Sequence, residues 1–224
     1  MADSQPDSKT RLLDATIASV REKGYAATRV DDICAAAGVS KGAFLHHFSS
    51  KDDVAEKAVA HWTAGAVAMF ADASFNTIDD PVSRLFGYFA FRKSLLDRPL
   101  PEFTCYGGTL AQETYETHPA IREALERSFD LHADWLATLV TDAIRSRGVK
   151  PAGWSAKSLA FHIQTVLQGA FVMAKIENSA AVAADGIDHL TRYVALLFGV
   201  DEKQALNPAK SASTKRAAPK ARRA

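Results

Sequence analysis

Cysteine is scarce in this 224-residue chain: only Cys34 and Cys105 occur, too few for a disulfide framework and unlike any C-x-x-C metal or redox spacing. Both thiols are expected to be reduced. Long uncharged apolar runs are also lacking: they fall well short of the ~20 residues that cross a bilayer, and the opening stretch from Met1 to Lys9 has no apolar core of the kind a secretory signal needs. The chain therefore reads as cytoplasmic, with no membrane partner. No nucleophile motif, paired-carboxylate pattern or glycine-rich phosphate loop is present. An enzyme built on Cys105 with His118 or His132 has only residue types in its favour, so no enzymatic activity and no cofactor are expected. His46 and His47 are adjacent and point about 100° apart on a helix, which excludes chelation of one metal ion by the pair.

What is present is apolar residue in quantity, 47% against 24% charged, enough to bury a sizeable core and to exclude a disordered chain. The net charge of +1 hides an asymmetry. Residues 208–224 carry Lys210, Lys215, Arg216, Lys220, Arg222 and Arg223 with no acidic residue, which leaves 21 basic against 26 acidic residues, a formal −5, on the rest. The body is thus no generic polyanion binder, whereas the terminal segment is a basic, Ala/Lys/Pro/Ser-rich tail, expected to be disordered over 201–224 and to act as a solubilising or weakly DNA-attracting extension.

Apolar residues recur at three- and four-residue spacings nearly everywhere and never alternate over a sustained run, so the chain reads as all-α. A first helix is predicted from Ser8 to Lys23, ended by Gly24. Thr28-Arg29-Val30-Asp31 has capping-box spacing and opens a short second helix that Gly38 interrupts; Ser40 caps a third through about His47. Ser50-Lys51-Asp52-Asp53 repeats the capping signal for a long helix to about Ala73, and Asp80-Pro81 opens another that ends before Pro99. Gly107-Gly108 breaks the pattern before a short helical segment around Leu110 to Tyr115. Pro119 then starts a long helix closed by Gly148, whose stripe is Ile121, Leu125, Phe129, His132, Leu136, Leu139 and Ala143. Two amphipathic helices, Ser155 to Asn178 and Ala180 to Phe198, complete the body.

Three short helices with a glycine-containing turn between the second and third make a helix-turn-helix, whose third helix would enter the major groove. The runs Gly24-Tyr25-Ala26-Ala27-Thr28-Arg29-Val30-Asp31-Asp32-Ile33, Ala36-Ala37-Gly38-Val39-Ser40-Lys41-Gly42-Ala43-Phe44 and His46-His47-Phe48, with Ser50-Lys51, resemble the DNA-binding domain of TetR-family transcriptional regulators over about residues 9–58. Ile33, Val39, Phe44 and Phe48 are the apolar positions that would lock the third helix in place. Candidate contacts to double-stranded DNA are Thr28 and Arg29 at the start of the second helix, then Ser40, Lys41, Gly42, Ala43, Leu45, His46, His47 and Lys51. Lys41 and Lys51 suit phosphate or guanine, and the two small residues Gly42 and Ala43 allow close approach to the groove. His47 fits a phosphate or packing role better than base reading. The family usually has a tyrosine where this chain has Leu45, so one polar contact is lost there.

The resemblance implies four segments: a flexible start over 1–8, a helix-turn-helix domain over 9–50, a helical effector-binding and dimerisation domain over 51–200, and the tail. It further implies a homodimer joined through the last two long helices, and an unknown small-molecule effector. Trp62, Phe86, Phe89, Phe103, Cys105, Tyr106, Phe129, His132, Trp135 and Phe171 are the interior candidates for the effector pocket, although most aromatics at helical spacing are simply core. The run from Cys105 to Glu113 resembles a branch of the family in which a cysteine senses electrophiles or oxidants. Cys105, made reactive by a helix start or by Lys175, is the candidate sensor, and an inert half-buried thiol the alternative. The function so implied is a ligand-responsive repressor of a palindromic operator. An activator of the same fold, or an architectural DNA-binding protein relying on its tail, remains open.

Overall fold

The computed structural model describes residues 6–206, whose regular structure is all helical, with no strand among the described residues. The helices are α1 (Ser8–Lys23), α2 (Val30–Ala37), α3 (Lys41–His47), α4 (Lys51–Ala71), α5 (Pro81–Ser94), α6 (Leu100–Phe103), α7 (Tyr106–Thr114), α8 (Pro119–Arg147), α9 (Ala156–Glu177), α10 (Ala180–Phe198) and α11 (Glu202–Leu206). Two short 3-10 turns, Ser74–Thr77 and Leu95–Asp97, flank α5.

Local chemistry explains most of these boundaries. Asp7 accepts the Thr10 N–H at 2.7 Å to start α1, Asp80 accepts that of Ser83 at 2.9 Å to start α5, and Ser155 accepts that of Ser158 at 3.1 Å to start α9. Asn178 and Gly199 end α9 and α10 in the left-handed conformation, with φ of 47° and 59°. The start of α2 falls one residue later than the capping pattern predicts. Thr28 turns its hydroxyl back to the Gly24 carbonyl at 2.7 Å, and Arg29 becomes the N-cap, its N–H donated to the Asp32 carboxylate at 3.2 Å.

Two further expectations are corrected. Gly107 and Gly108 lie inside α7 rather than before it, because a Cβ at Gly107 would sit 2.9 Å from Phe129 Cε2: the glycine serves close helix packing, not helix breaking. The first residues of the expected tail form α11, where Ala205 is buried and Glu202 accepts from Arg192 at 2.7 Å. Lys210, Lys215, Arg216, Lys220, Arg222 and Arg223 of the tail lie outside the described residues.

The chain divides into two compact units, one comprising residues up to 70 with 101–132, the other 71–100 with 133 onward. The core of the first joins α1–α4 to α7 and the start of α8: Leu12, Val20, Ile33, Phe44, Phe48, Val54, Tyr106, Leu110, Ile121 and Leu125 form one buried cluster. In the second, α9 and α10 pack tightly enough that a Cβ at Gly186 would lie 3.2 Å from that of Ala170. The Lys93 ammonium ties α5 to Asp188 on α10 at 2.7 Å. By length and mean hydropathy α9 alone among the described helices could span a bilayer, and its residues 158–174 carry no charged side chain, a longer uncharged run than the sequence reading allowed. Its apolar residues form two stripes. Leu159, Ile163, Leu167, Phe171 and Ala174 are buried in the unit, while Phe161, Val172, Met173 and Ile176 face solvent.

Candidate nucleic-acid interface

The third helix is built to present one face. Ser40 Oγ accepts the Ala43 N–H at 3.1 Å and fixes where α3 begins. Gly38, at φ 64°, makes the turn from α2 and lets Val39 N–H reach the Cys34 carbonyl at 3.0 Å. Phe44 and Phe48 are buried with ring centroids 5.7 Å apart, pinning α3 from below. Truncating either to alanine costs about 3–5 kcal/mol in such a core. Ser40, Lys41, Gly42, Leu45 and His46 are left exposed and Ala43 half-buried, a face seven residues long that fits a groove.

Of the remaining candidates, Thr28, Lys51 and His47 are committed inside the protein. Thr28 is buried with its hydroxyl engaged, so its side chain offers nothing to a phosphate in this conformation, whereas Arg29 is exposed. Lys51 donates to the Tyr25 carbonyl at 3.2 Å and lies 4.1 Å over its ring. His47 Nε2 lies 2.8 Å from Ser8 Oγ, tying the end of α3 to the start of α1.

Two carboxylates on α2 complete the electrostatics, and no spacing in the sequence signals their partners. Asp31 meets the Lys41 ammonium at 3.0 Å and Asp32 meets Lys23 at 2.6 Å. Both pairs are solvent-exposed and so worth little in stability, but the first orients the lysine of the presented face. Lys23, with the Arg29 N–H, holds the Asp32 carboxyl below the usual range. Burial, followed by the charge of Asp31, pushes the Cys34 thiol up, as expected for a small buried hydrophobe rather than a reactive group.

The ten pocket candidates fall in both units. In the first, Tyr106 is fully buried and donates to the Ala55 carbonyl at 3.0 Å. Half-buried Trp62 lies 6.3 Å from the Tyr106 ring with the Arg21 guanidinium 4.8 Å above its own. Phe103 is buried, Phe129 packs on Gly107, and His132 lies 5.0 Å from Phe70. Cys105 is half-buried at the N-cap of α7, its Sγ accepting the Gly108 N–H at 3.4 Å. In the second unit Phe86 and Phe89 are fully packed, Trp135 lies 5.8 Å from Tyr88, and Phe171 lies under the Arg92 guanidinium at 5.6 Å. An open depression of about 320 Å³ on α8, lined by Asp134, Thr138, Asp142 and Arg145 among others, contains none of the ten. No group of three or more His, Cys, Asp or Glu is arranged to hold a metal among the described residues.

A short helix with an exposed polar face, set across a glycine turn on two supporting helices, defines a helix-turn-helix DNA-binding protein. Residues 12–58 match the model for bacterial regulatory proteins of the tetR family, and residues 81–190 that for the tetracyclin repressor-like C-terminal domain. The chain belongs to the TetR family of transcriptional regulators. It is 44% identical over 50 residues to the HTH-type transcriptional regulator CymR of Pseudomonas putida, covering 22% of this chain and 25% of that protein. It is 30% identical over 109 residues to the HTH-type transcriptional repressor DhaR of a Mycobacterium species, covering 49% and 53%. The matches thus span about a quarter to a half of these curated relatives. A TetR transcriptional regulator from Chloroflexus aurantiacus superposes with a TM-score of 0.72 at 28% identity over 84% of this chain and 94% of that one. Escherichia coli NemR in its reduced form shares the fold, with a TM-score of 0.72 at 17% identity over 83% and 95%.

Proposed function

We propose that the chain is a dimeric transcriptional repressor that reads a palindromic operator with α3 and leaves it when a small molecule binds among the helices that follow the helix-turn-helix. The observation that carries this reading is the presented face of α3, where exposed Lys41, oriented by Asp31, stands beside small residues while Phe44 and Phe48 fix the helix behind it. Arg29 at the start of α2 supplies a phosphate contact, and the other candidate contacts that are committed internally act by holding α3 in place. The naming of DhaR as a repressor favours repression over activation.

Dimerisation is supported by the exposed apolar stripe of α9 and by Tyr193 and Leu196 on α10, the last 81% exposed. A large unpartnered apolar face on adjacent long helices suits an isologous contact. Two copies of α3 set about 34 Å apart would read successive major-groove faces. The effector site is sought among the ten candidate residues named above, Trp62 on α4 included, and Cys105 at the start of α7 is the proposed site at which an electrophile would act. The protein would work in the cytoplasm, where the DNA is.

Selection of bound fragments from random DNA by the full chain, followed by sequencing, tests the reading. Enrichment of one palindrome, weakened by Lys41→Ala, is the expected result. Recovery of unrelated sequences would overturn it.

A further inference from the structure

Between α1 and α2 the chain makes a turn whose backbone is held from elsewhere. Both oxygens of Glu113, near the end of α7, accept from it: Oε1 from the Tyr25 N–H at 2.9 Å and Oε2 from the Ala26 N–H at 2.8 Å. The preceding Gly24 has φ 87°, and a Cβ there would lie 2.6 Å from Glu113 Oε1, so the turn leaves out the atom that would displace the carboxylate. The other side of the same peptide is held too. The Tyr25 carbonyl accepts from Lys51 Nζ at 3.2 Å and from the Thr28 N–H at 3.1 Å, and Thr28 returns its hydroxyl to the Gly24 carbonyl at 2.7 Å. Position thus passes from Glu113 through Tyr25 to Thr28 and Arg29, where α2 starts.

At its other end α7 is no less fixed. Tyr106 donates to the Ala55 carbonyl of α4 at 3.0 Å, and Arg21 of α1 donates to the Thr104 carbonyl at 2.9 Å. With Gly107 packed against Phe129, α7 behaves as a strut inside the core of the DNA-binding head rather than as part of a separate lobe.

We propose that Glu113 is a positioning residue for DNA recognition: its carboxylate clamps the turn between α1 and α2 and transmits the placement of α7 to the DNA-contacting start of α2. The inference rests on the DNA-reading function proposed above and adds the regulatory contact to it. Displacement of α7 releases the clamp and weakens DNA binding, and by reciprocity bound DNA tightens the clamp. Glu113 touches no DNA, and charge-assisted bonds to two adjacent N–H groups are what give it purchase.

Amide hydrogen exchange and DNA affinity, measured together on the full-length chain, test this. The variants are Glu113→Gln, Glu113→Ala and, as an independent break of the same clamp, Gly24→Ala; the probes are the duplex enriched from random DNA by the parent chain and a scrambled duplex. The clamp predicts at least tenfold faster exchange at Tyr25 and Ala26 with unchanged protection in α4 and α8. It also predicts at least fivefold weaker binding to the enriched duplex, with Glu113→Gln, which keeps one acceptor, between parent and Glu113→Ala. A residue that is only structural would lower protection throughout. Local loosening with affinity within twofold of the parent, or no local loosening in any variant, overturns the proposal. A parent chain with no preference for any duplex would overturn the DNA-reading function instead, while the exchange data still report whether the clamp exists.

Discussion

Two glycines inside helices make opposite demands, and exchanging each for alanine separates propensity from packing. Within a helix the change from glycine to alanine gains about 0.5–1 kcal/mol by restricting the unfolded chain. At Gly65, in the interior of α4, a Cβ meets nothing within 4 Å, so Gly65→Ala collects that gain in full. At Gly107 the same atom would lie 2.9 Å from Phe129 Cε2 and 3.1 Å from Leu125 Cδ2. Leu125 is buried and cannot retreat, and overpacking of this kind costs about 1–3 kcal/mol. Gly107→Ala is therefore destabilised by about 1 kcal/mol, and the two variants differ by about 2 kcal/mol. For a chain of this length that gap is about 4–8 °C in Tm, read by circular dichroism at one protein concentration so that self-association does not contribute. A Gly107→Ala protein as stable as Gly65→Ala would refute the packing of α7 on α8.

Four further outcomes follow from the same geometry. Ser40→Ala removes the cap of α3, costs about 1 kcal/mol and weakens operator binding in a fluorescence-anisotropy titration; Ser40→Asp should restore the helix but not the affinity, since it adds charge opposite phosphate. Leu196→Glu, on the exposed face of α10, should shift sedimentation velocity from dimer to monomer, and an unchanged dimer would place the interface elsewhere. Burial, then the bond to Asp52, raises the Tyr25 phenol above its ordinary value of 10.0. Folding stability owed to it is therefore complete below about pH 10 and is lost as pH rises beyond that, and Tyr25→Phe should flatten this alkaline loss in urea titrations. Iodoacetamide should label half-buried Cys105 well before buried Cys34, and if labelling of Cys105 leaves DNA affinity unchanged its sensor role is excluded.

How much of this was legible in the sequence depended on the range of the contacts involved. Helix ends closed by their own neighbours were readable from residue type: α1 runs from Ser8 to Lys23 as the spacing predicts, Pro119 opens α8, Asn178 ends α9, and α10 spans Ala180–Phe198. The presented face of α3 was readable for the same reason, since Ser40, Phe44 and Phe48 act within a few residues of one another. Gly107 was misread because its neighbour Phe129 belongs to another helix, and the same letter that stops a helix also lets two helices touch. Thr28 matched a capping pattern but spends its hydroxyl on Gly24, passing the cap to Arg29. The clamp on the turn could not be seen at all, because Glu113 lies 88 residues beyond Tyr25 and only folding brings them together. Leu45, in a place where the family usually has tyrosine, is 60% exposed on α3, so the departure read from the sequence falls on the presented face itself.

The central claim is that α3 reads sequence and that the basic segment beyond residue 206 does not stand in for it. The direct measurement is the ratio of affinities for the selected palindrome and for scrambled DNA of equal length, near physiological salt, for the full chain and for a chain ending at Leu206. The account predicts a preference of at least about 10³ that survives the truncation, with only the salt slope reduced. Equal affinity for both duplexes, and loss of all binding when the tail is removed, would contradict it.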